Sequence, residues 1–215
     1  MNYDDGIKEY ADIAYAKNKE YCEKNGYDIR RYKKVYEPAL EMTWQKIWLI
    51  KEVIESVRLT HTHVVWIDAD AFFNPVSQFK LEDFLPSCNK FATFSEDVRR
   101  YPLQPYGLSL NCGVMIYKVC QESIDFFDKI NEKRKVVQKY VSFHEQGTII
   151  RMIQDGDISM KGIMFVPYNT IQTFPMTIQT SPYDFNPKSL VYHYAGVDNK
   201  LRIEIFRQIV QKKTM

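Results

Sequence analysis

Several signatures are missing from this sequence, and each absence removes a class of function. No apolar run approaches the about 20 residues that a helix needs to cross a bilayer, so no membrane span is expected. The opening residues, MNYDDGIKEY, are acidic and polar, unlike the basic and then apolar pattern of a secretory signal. A soluble, cytoplasmic protein is the expectation. No excess of one charge exists either: 29 basic residues stand against 27 acidic ones, a net charge of +2. That leaves no electrostatic footprint for nucleic acid or for an anionic membrane surface. Cysteine is sparse. Cys22, Cys88, Cys112 and Cys120 show no CxxC spacing, which argues against a zinc cluster and a small disulfide scaffold, and for reduced, buried thiols. There is no internal repeat, low-complexity segment or linker, so one domain over residues 1–215 is the simplest organisation.

What the chain has in quantity is aromatic residues: 15 Tyr, 13 Phe and 3 Trp. Their flat apolar faces and polar edges suit a protein core, and suit stacking on a sugar or a base equally well.

Periodicity organises the rest. Ile7, Tyr10, Ala11, Ala14, Tyr15, Tyr21 and Cys22 share one face of a helix over 7–24, which Asn25-Gly26 stops. A strand is expected within Tyr27–Tyr36, and a second amphipathic helix over 41–58 with Trp44, Ile47, Trp48, Ile54 and Val57 inward. The run His63-Val64-Val65-Trp66-Ile67 reads as a buried central strand. Further strands are expected at 91–94, 113–117, 162–167 and 189–194, and helices at 120–134, 144–154 and the C-terminus. The charged, Pro-containing stretch 95–108 reads as a loop. Helices alternating with apolar strands predict an α/β fold, a mixed, mostly parallel central sheet with helices on both faces.

The strongest local signal is Asp68-Ala69-Asp70 at the end of the apolar run. In open α/β sheets ligands bind beyond the carboxyl ends of strands. Two carboxylates leaving such an end, one residue apart, can share a hard cation, and Mg²⁺ or Mn²⁺ commonly joins protein carboxylates to substrate phosphates. The alternative is a turn in which Asp bonds its own backbone or caps the next element.

Val65-Trp66-Ile67-Asp68-Ala69-Asp70 resembles the DxD segment of GT-A-fold glycosyltransferases, most closely the fungal and plant galactosyl/xylosyltransferase family and more distantly the glycogenin-like one. Small domains of this kind also occur in large algal viruses, so a viral source, or one domain of a longer protein, fits the resemblance. Three further segments match in order. Asn111-Cys112-Gly113-Val114 is similar to the family's "N-x-G-v" strand, where Asn contacts the donor sugar; the other reading is a strand with Gly at a bulge. Glu145-Gln146 is similar to a "D-Q" helix start facing the reacting sugar, with Glu in place of the usual Asp; the other reading is a charged first turn complementing the helix dipole. His193-Tyr194-Ala195-Gly196 resembles "H-x-x-G", where His is the third metal ligand and Gly approaches the diphosphate; a lone His is also commonly structural. Lys200 lies one residue beyond the position at which glycogenin-like enzymes carry a lysine, which is Asn199 here. Trp44 and Lys46 resemble a "W-x-K" helix, implying a Lys at donor phosphate; the other reading is a solvated Lys. Tyr21–Asp28 resembles a further family segment and reads as structural. The family fold opens with a strand that supports the nucleotide base, whereas these residues open almost directly in a helix.

The resemblance therefore implies a metal-dependent glycosyltransferase acting on a nucleotide sugar, UDP-linked, with a glycan or glycoprotein acceptor and retention of anomeric configuration. Asp68, Asp70 and His193 would hold Mn²⁺ or Mg²⁺. Asp68, Ala69, Asp70, Gly196, Lys200 and Lys46 would bind the donor, and Asn111, Glu145 and Gln146 would carry catalysis. Arg99, Arg100, Tyr101 and Tyr106 are candidates for an acceptor wall or lid. Two competing readings are a metal-dependent nucleotidyltransferase, although no Gly-rich phosphate loop stands near the first strand, and a binding module without catalysis.

Overall fold

The computed structural model describes residues 1–97, 110–137, 144–175 and 185–211. In chain order these form α1 (Lys8–Asn25), α2 (Met42–Ser56), β1 (His63–Ile67), β2 (Ala71–Phe73), β3 (Ala92–Glu96), β4 (Leu110–Lys118), α3 (Gln121–Val137), α4 (His144–Gln154), β5 (Ile163–Val166), β6 (Gln172–Thr173), β7 (Val191–His193) and α5 (Asn199–Gln211). The chain divides into two compact units, both discontinuous in sequence. The first takes Met1–Lys34, Ile67–Lys80 and Asn169–Met215; the second takes Val35–Trp66 and Leu81–Tyr168.

In the first unit α1 buries Tyr10, Ala11, Ala14 and Cys22 of the expected helical face, and Asn18 with them. It ends as its Asn-Gly predicts: Gly26 sits at φ 75°, a left-handed conformation, and its N–H bonds to the Cys22 carbonyl. Three short strands pair in the order β2-β7-β6. β2 runs antiparallel to β7, with Ala71 opposite His193, and β6 runs parallel to β7. The core gathers Tyr10, Ala11, Ala14, Phe72, Tyr194 and Phe206. Phe206 meets Phe72 and Tyr194 edge-on, with ring centroids 5.4 and 5.1 Å apart. Burying each such side chain stabilises the fold by about 1.5–3 kcal/mol. Asn18, buried among these apolar groups, donates to the Ala71 carbonyl at 3.0 Å and accepts from the Phe73 N–H at 2.9 Å. A helix side chain thereby answers backbone groups of β2 that β7 does not.

The strand expected within Tyr27–Tyr36 is reduced to a single parallel bridge, Asn2 to Tyr32. The stretch carries adjacent cationic pairs, Arg30-Arg31 and Lys33-Lys34, and no sustained apolar alternation. Near it the backbone of Lys34 bonds instead to the Asn2 side chain, which donates to its carbonyl at 2.8 Å and accepts from its N–H at 3.0 Å.

The second unit holds a four-stranded sheet in the order β1-β4-β3-β5, with β3 antiparallel to β4 and parallel to β5. The expected central place of His63–Ile67 is not found: among the described residues β1 stands at the end of the order, and its first three positions are only half-buried. An apolar run reports how much of a strand is covered, not how many partners it has. Tyr117, Phe94, Phe126 and Phe127 fill the core, with the Tyr117 and Phe127 rings 4.9 Å apart. α2 packs on α3 and α4, and α4 on β4. The pairing of β3 with β4 slips after Phe94: Phe94 faces Met115, but Ser95 faces Asn111. Cys112, Gly113 and Val114 therefore bulge from the ladder, which frees their backbone groups for other partners. Of the loop expected over 95–108, Ser95 and Glu96 belong to β3, and Arg99, Arg100, Tyr101 and Tyr106 lie outside the described residues.

Candidate metal centre and a buried polar cluster

The antiparallel register of β2 and β7 explains the site in the first unit. Asp70 immediately precedes β2, and its carbonyl accepts from the Tyr194 N–H at 3.0 Å. Ala71 faces His193 across the pair. Asp70 and His193, distant in sequence, thus emerge side by side. Asp68, Asp70 and His193 each offer one ligand atom, and these atoms lie within 4.8 Å of one another. His193 Nε2 stands 3.3 Å from Asp70 Oδ1. The other ring nitrogen, Nδ1, is 2.9 Å from the Gln172 Oε1 atom. Arg202, from the first turn of α5, reaches Asp70 Oδ2 at 3.2 Å. Burial pushes the Asp70 carboxyl up, but His193 and Arg202, with a backbone hydrogen bond, outweigh it and bring it down to about 2. Two ionisable oxygen donors and one imidazole form a donor set suited to Mn²⁺ or Mg²⁺.

Three further sequence candidates lie in the same unit, at positions close in sequence to the cluster. Gly196 is at φ 72°, where a side chain would be strained although no neighbour would touch it. Ala69 is buried in the unit's core. Lys200 lies exposed in the first turn of α5, where Asp198 Oδ1 caps the helix by accepting from the Lys200 and Leu201 N–H groups at 2.9 and 3.3 Å.

The second unit holds a different cluster. Lys46 of α2 and Glu145 of α4 form an ion pair at 2.9 Å, each side chain only 5% exposed. Lys46 also donates to the Cys112 carbonyl at 3.3 Å and lies 5.6 Å from the Trp66 ring centre. Around the bulge, the Cys112 N–H donates to Gln146 Oε1 at 3.2 Å and the Gly113 N–H to Asn111 Oδ1 at 2.8 Å. Asp97 completes it, its Oδ2 accepting from Gln146 Nε2 at 3.1 Å and from Asn111 Nδ2 at 3.4 Å. Residues picked out from sequence thus bond to backbone groups of the bulge.

No family model matches the chain. Among solved structures, a glycosyltransferase involved in the glycosylation of the major capsid of PBCV-1 aligns with TM-score 0.73 and 16% identity, covering 96% of both chains. The fold is GT-A. The galactosyltransferase LgtC, solved in complex with donor and acceptor sugar analogues, shares this GT-A fold with TM-score 0.57 at 12% identity, covering 98% of this chain and 94% of that one. GlyE of Streptococcus pneumoniae TIGR4 aligns at 0.62 and 14% identity, over 96% of this chain and 58% of that one. Two curated proteins named "Probable glycosyltransferase 6" are similar in sequence: that of Oryza sativa subsp. indica is 28% identical over 124 residues, and that of subsp. japonica 29% over 122. These matches take in 54% and 53% of this chain and only 24% and 23% of the relatives' length. The resemblance to GT-A glycosyltransferases read from the motifs is borne out, as is the mixed α/β fold class. No helix of the described residues is long and apolar enough to cross a membrane.

The sequence candidates therefore fall into two sets. Asp68, Asp70 and His193 come together in one unit; Asn111, Glu145, Gln146 and Lys46 come together in the other. Lys46 is not the solvated residue of the alternative reading: it is buried against a carboxylate. Sequence reading missed Asp97, Asn18, Gln172 and Arg202. Asp97 had a usable signal, an acid directly after a strand, as Asp68 is after β1. Gln172 and Arg202 had none, because their partners lie on other elements.

Proposed function

We propose that this chain is a divalent-metal-dependent glycosyltransferase. It moves a sugar from a UDP-sugar to a hydroxyl of a glycan or glycoprotein, with retention of anomeric configuration. The observation that carries the reading is the Asp68–Asp70–His193 cluster on a GT-A fold. These three residues hold Mn²⁺ or Mg²⁺, which when bound supplies positive charge to the diphosphate leaving group. Ala69 and Gly196 lend backbone to the donor, and Lys200 its ammonium. Asn111, Glu145 and Gln146 serve the donor sugar. Their bonds to Asp97, Lys46 and the bulge of β4 support the preorganisation that electrostatic catalysis requires. Lys46, held by Glu145, acts through that carboxylate in this reading.

Calorimetry with a panel of nucleotide sugars, with and without Mn²⁺, tests the proposal on wild type and on Asp70→Ala. The expected result is Mn²⁺-dependent binding of a UDP-sugar, lost in the variant, with release of UDP on turnover. No metal-dependent binding of any nucleotide sugar would leave a module without catalysis, and release of pyrophosphate would mean nucleotidyl transfer.

A further inference from the structure

We propose that Gln172 and Arg202 are positioning residues that sort the ligand atoms of the Asp68–Asp70–His193 cluster and thereby set its affinity for a divalent cation. The inference rests on the metal reading given above.

Gln172 comes from β6, on the far side of β7 from β2, and its side chain is fully buried. Its Oε1 atom lies 2.9 Å from His193 Nδ1. An amide oxygen only accepts, so Nδ1 carries the hydrogen and donates it. In the neutral ring that a metal ligand requires, Nε2 then presents its lone pair, 3.3 Å from Asp70 Oδ1. Two acceptors at that separation repel unless a proton or a metal cation lies between them. Neighbouring ligands on one octahedral ion with bonds of about 2.1 Å stand about 3 Å apart, close to the spacing found.

Arg202 does the matching work on the carboxylate. Its Nη2 takes Asp70 Oδ2 at 3.2 Å, which leaves Oδ1 turned toward His193. The guanidinium is itself held from several sides. Nε and Nη2 donate to the Tyr194 carbonyl at 3.3 and 3.0 Å, Nη1 donates to Asn199 Oδ1 at 2.9 Å, and the plane lies 4.7 Å from the Tyr10 ring centre. A planar fork held this way orients a carboxylate as a lysine cannot. Outer partners of this kind fix the orientation and tautomer of metal ligands.

Charge and geometry predict opposite signs here, which makes the inference testable. A cation beside a metal site repels the metal, so if Arg202 acted only as a charge, its removal would tighten binding. If it acts by orientation, removal weakens binding. The experiment titrates Mn²⁺ alone into the full chain and reads free Mn²⁺ from its electron paramagnetic resonance signal. Wild type is compared with Arg202→Met, Arg202→Lys, Gln172→Met and Gln172→Glu, with folding checked by circular dichroism. The expected result is about 10–100-fold weaker binding in both Met variants. Arg202→Lys should fall between, and Gln172→Glu, which keeps an acceptor on Nδ1, should restore near-wild-type affinity. Unchanged or tighter binding in folded Met variants would overturn the inference and leave the metal site standing. If Arg202→Met does not fold, the Gln172 pair decides by the same criterion. Wild type that binds no Mn²⁺ would overturn the metal reading, and this inference with it.

Discussion

The two polar clusters solve opposite problems. In the second unit the Lys46 ammonium meets the Glu145 carboxylate, and Asp97, Asn111 and Gln146 exchange donors and acceptors with one another and with the bulge of β4. The Lys46 and Glu145 charges there offset each other, and the Asp97 carboxylate is met by amide donors. In the first unit two carboxylates and an imidazole lone pair converge, and Arg202 supplies the nearby positive charge to Asp70. That cluster is rich in acceptors, so its chemistry looks outward for a cation. A closed cluster is built to hold shape, and an acceptor-rich one to take a ligand.

The largest effect should come from opening the closed cluster. Lys46→Met leaves Glu145 buried without its counter-charge and should lower unfolding stability by about 3–5 kcal/mol in urea titration. The double variant Lys46→Met/Glu145→Met should recover much of that loss; equal losses in single and double variants would mean that the pair carries no special coupling. Next comes the outward-looking cluster. Mn²⁺ at a hundred times its dissociation constant should stabilise the wild-type chain by about 2.7 kcal/mol, read as a rise in melting temperature. Asp70→Ala should show no such rise. Asn18→Ala, which strips two buried backbone groups of β2 of their partner, should cost about 1–3 kcal/mol by the same urea measurement. The smallest effect is expected for Gly196→Ala, about 1–2 kcal/mol, from forcing a side chain into the left-handed region.

Elements with strong periodicity are legible in the amino-acid sequence itself. α1 and α4 fall where the apolar spacing and the Asn-Gly stop put them, and the site candidates are legible because they leave strand or helix ends. Short strands are not. β2 and β6, three and two residues long, are too brief to show a period, and they exist because β7 lies between them. The misplaced centrality of β1 has the same origin, since strand order is a tertiary fact. Asn18 reads as an ordinary polar residue on a helix, yet it is buried because β2 needs it. Lys46 reads as a surface lysine, yet Glu145, far away in sequence, draws it inside. Local patterns carry burial and punctuation; they carry no knowledge of a partner that arrives from another element.

The threading of the chain gives the two units different histories during synthesis. Every segment of the second unit has left the ribosome once Tyr168 has been added and has cleared the exit tunnel. Segments of the first unit lie before and after those of the second: Asp68 and Asp70 are made before Tyr168, and His193 and then Arg202 after it. A chain interrupted after Tyr168 would carry both aspartates and every member of the Lys46–Glu145 cluster, yet lack the imidazole. Under the proposed metal reading, divalent-cation binding would therefore report that His193 has been added, which a chain truncated before it could not do however well its other unit has folded.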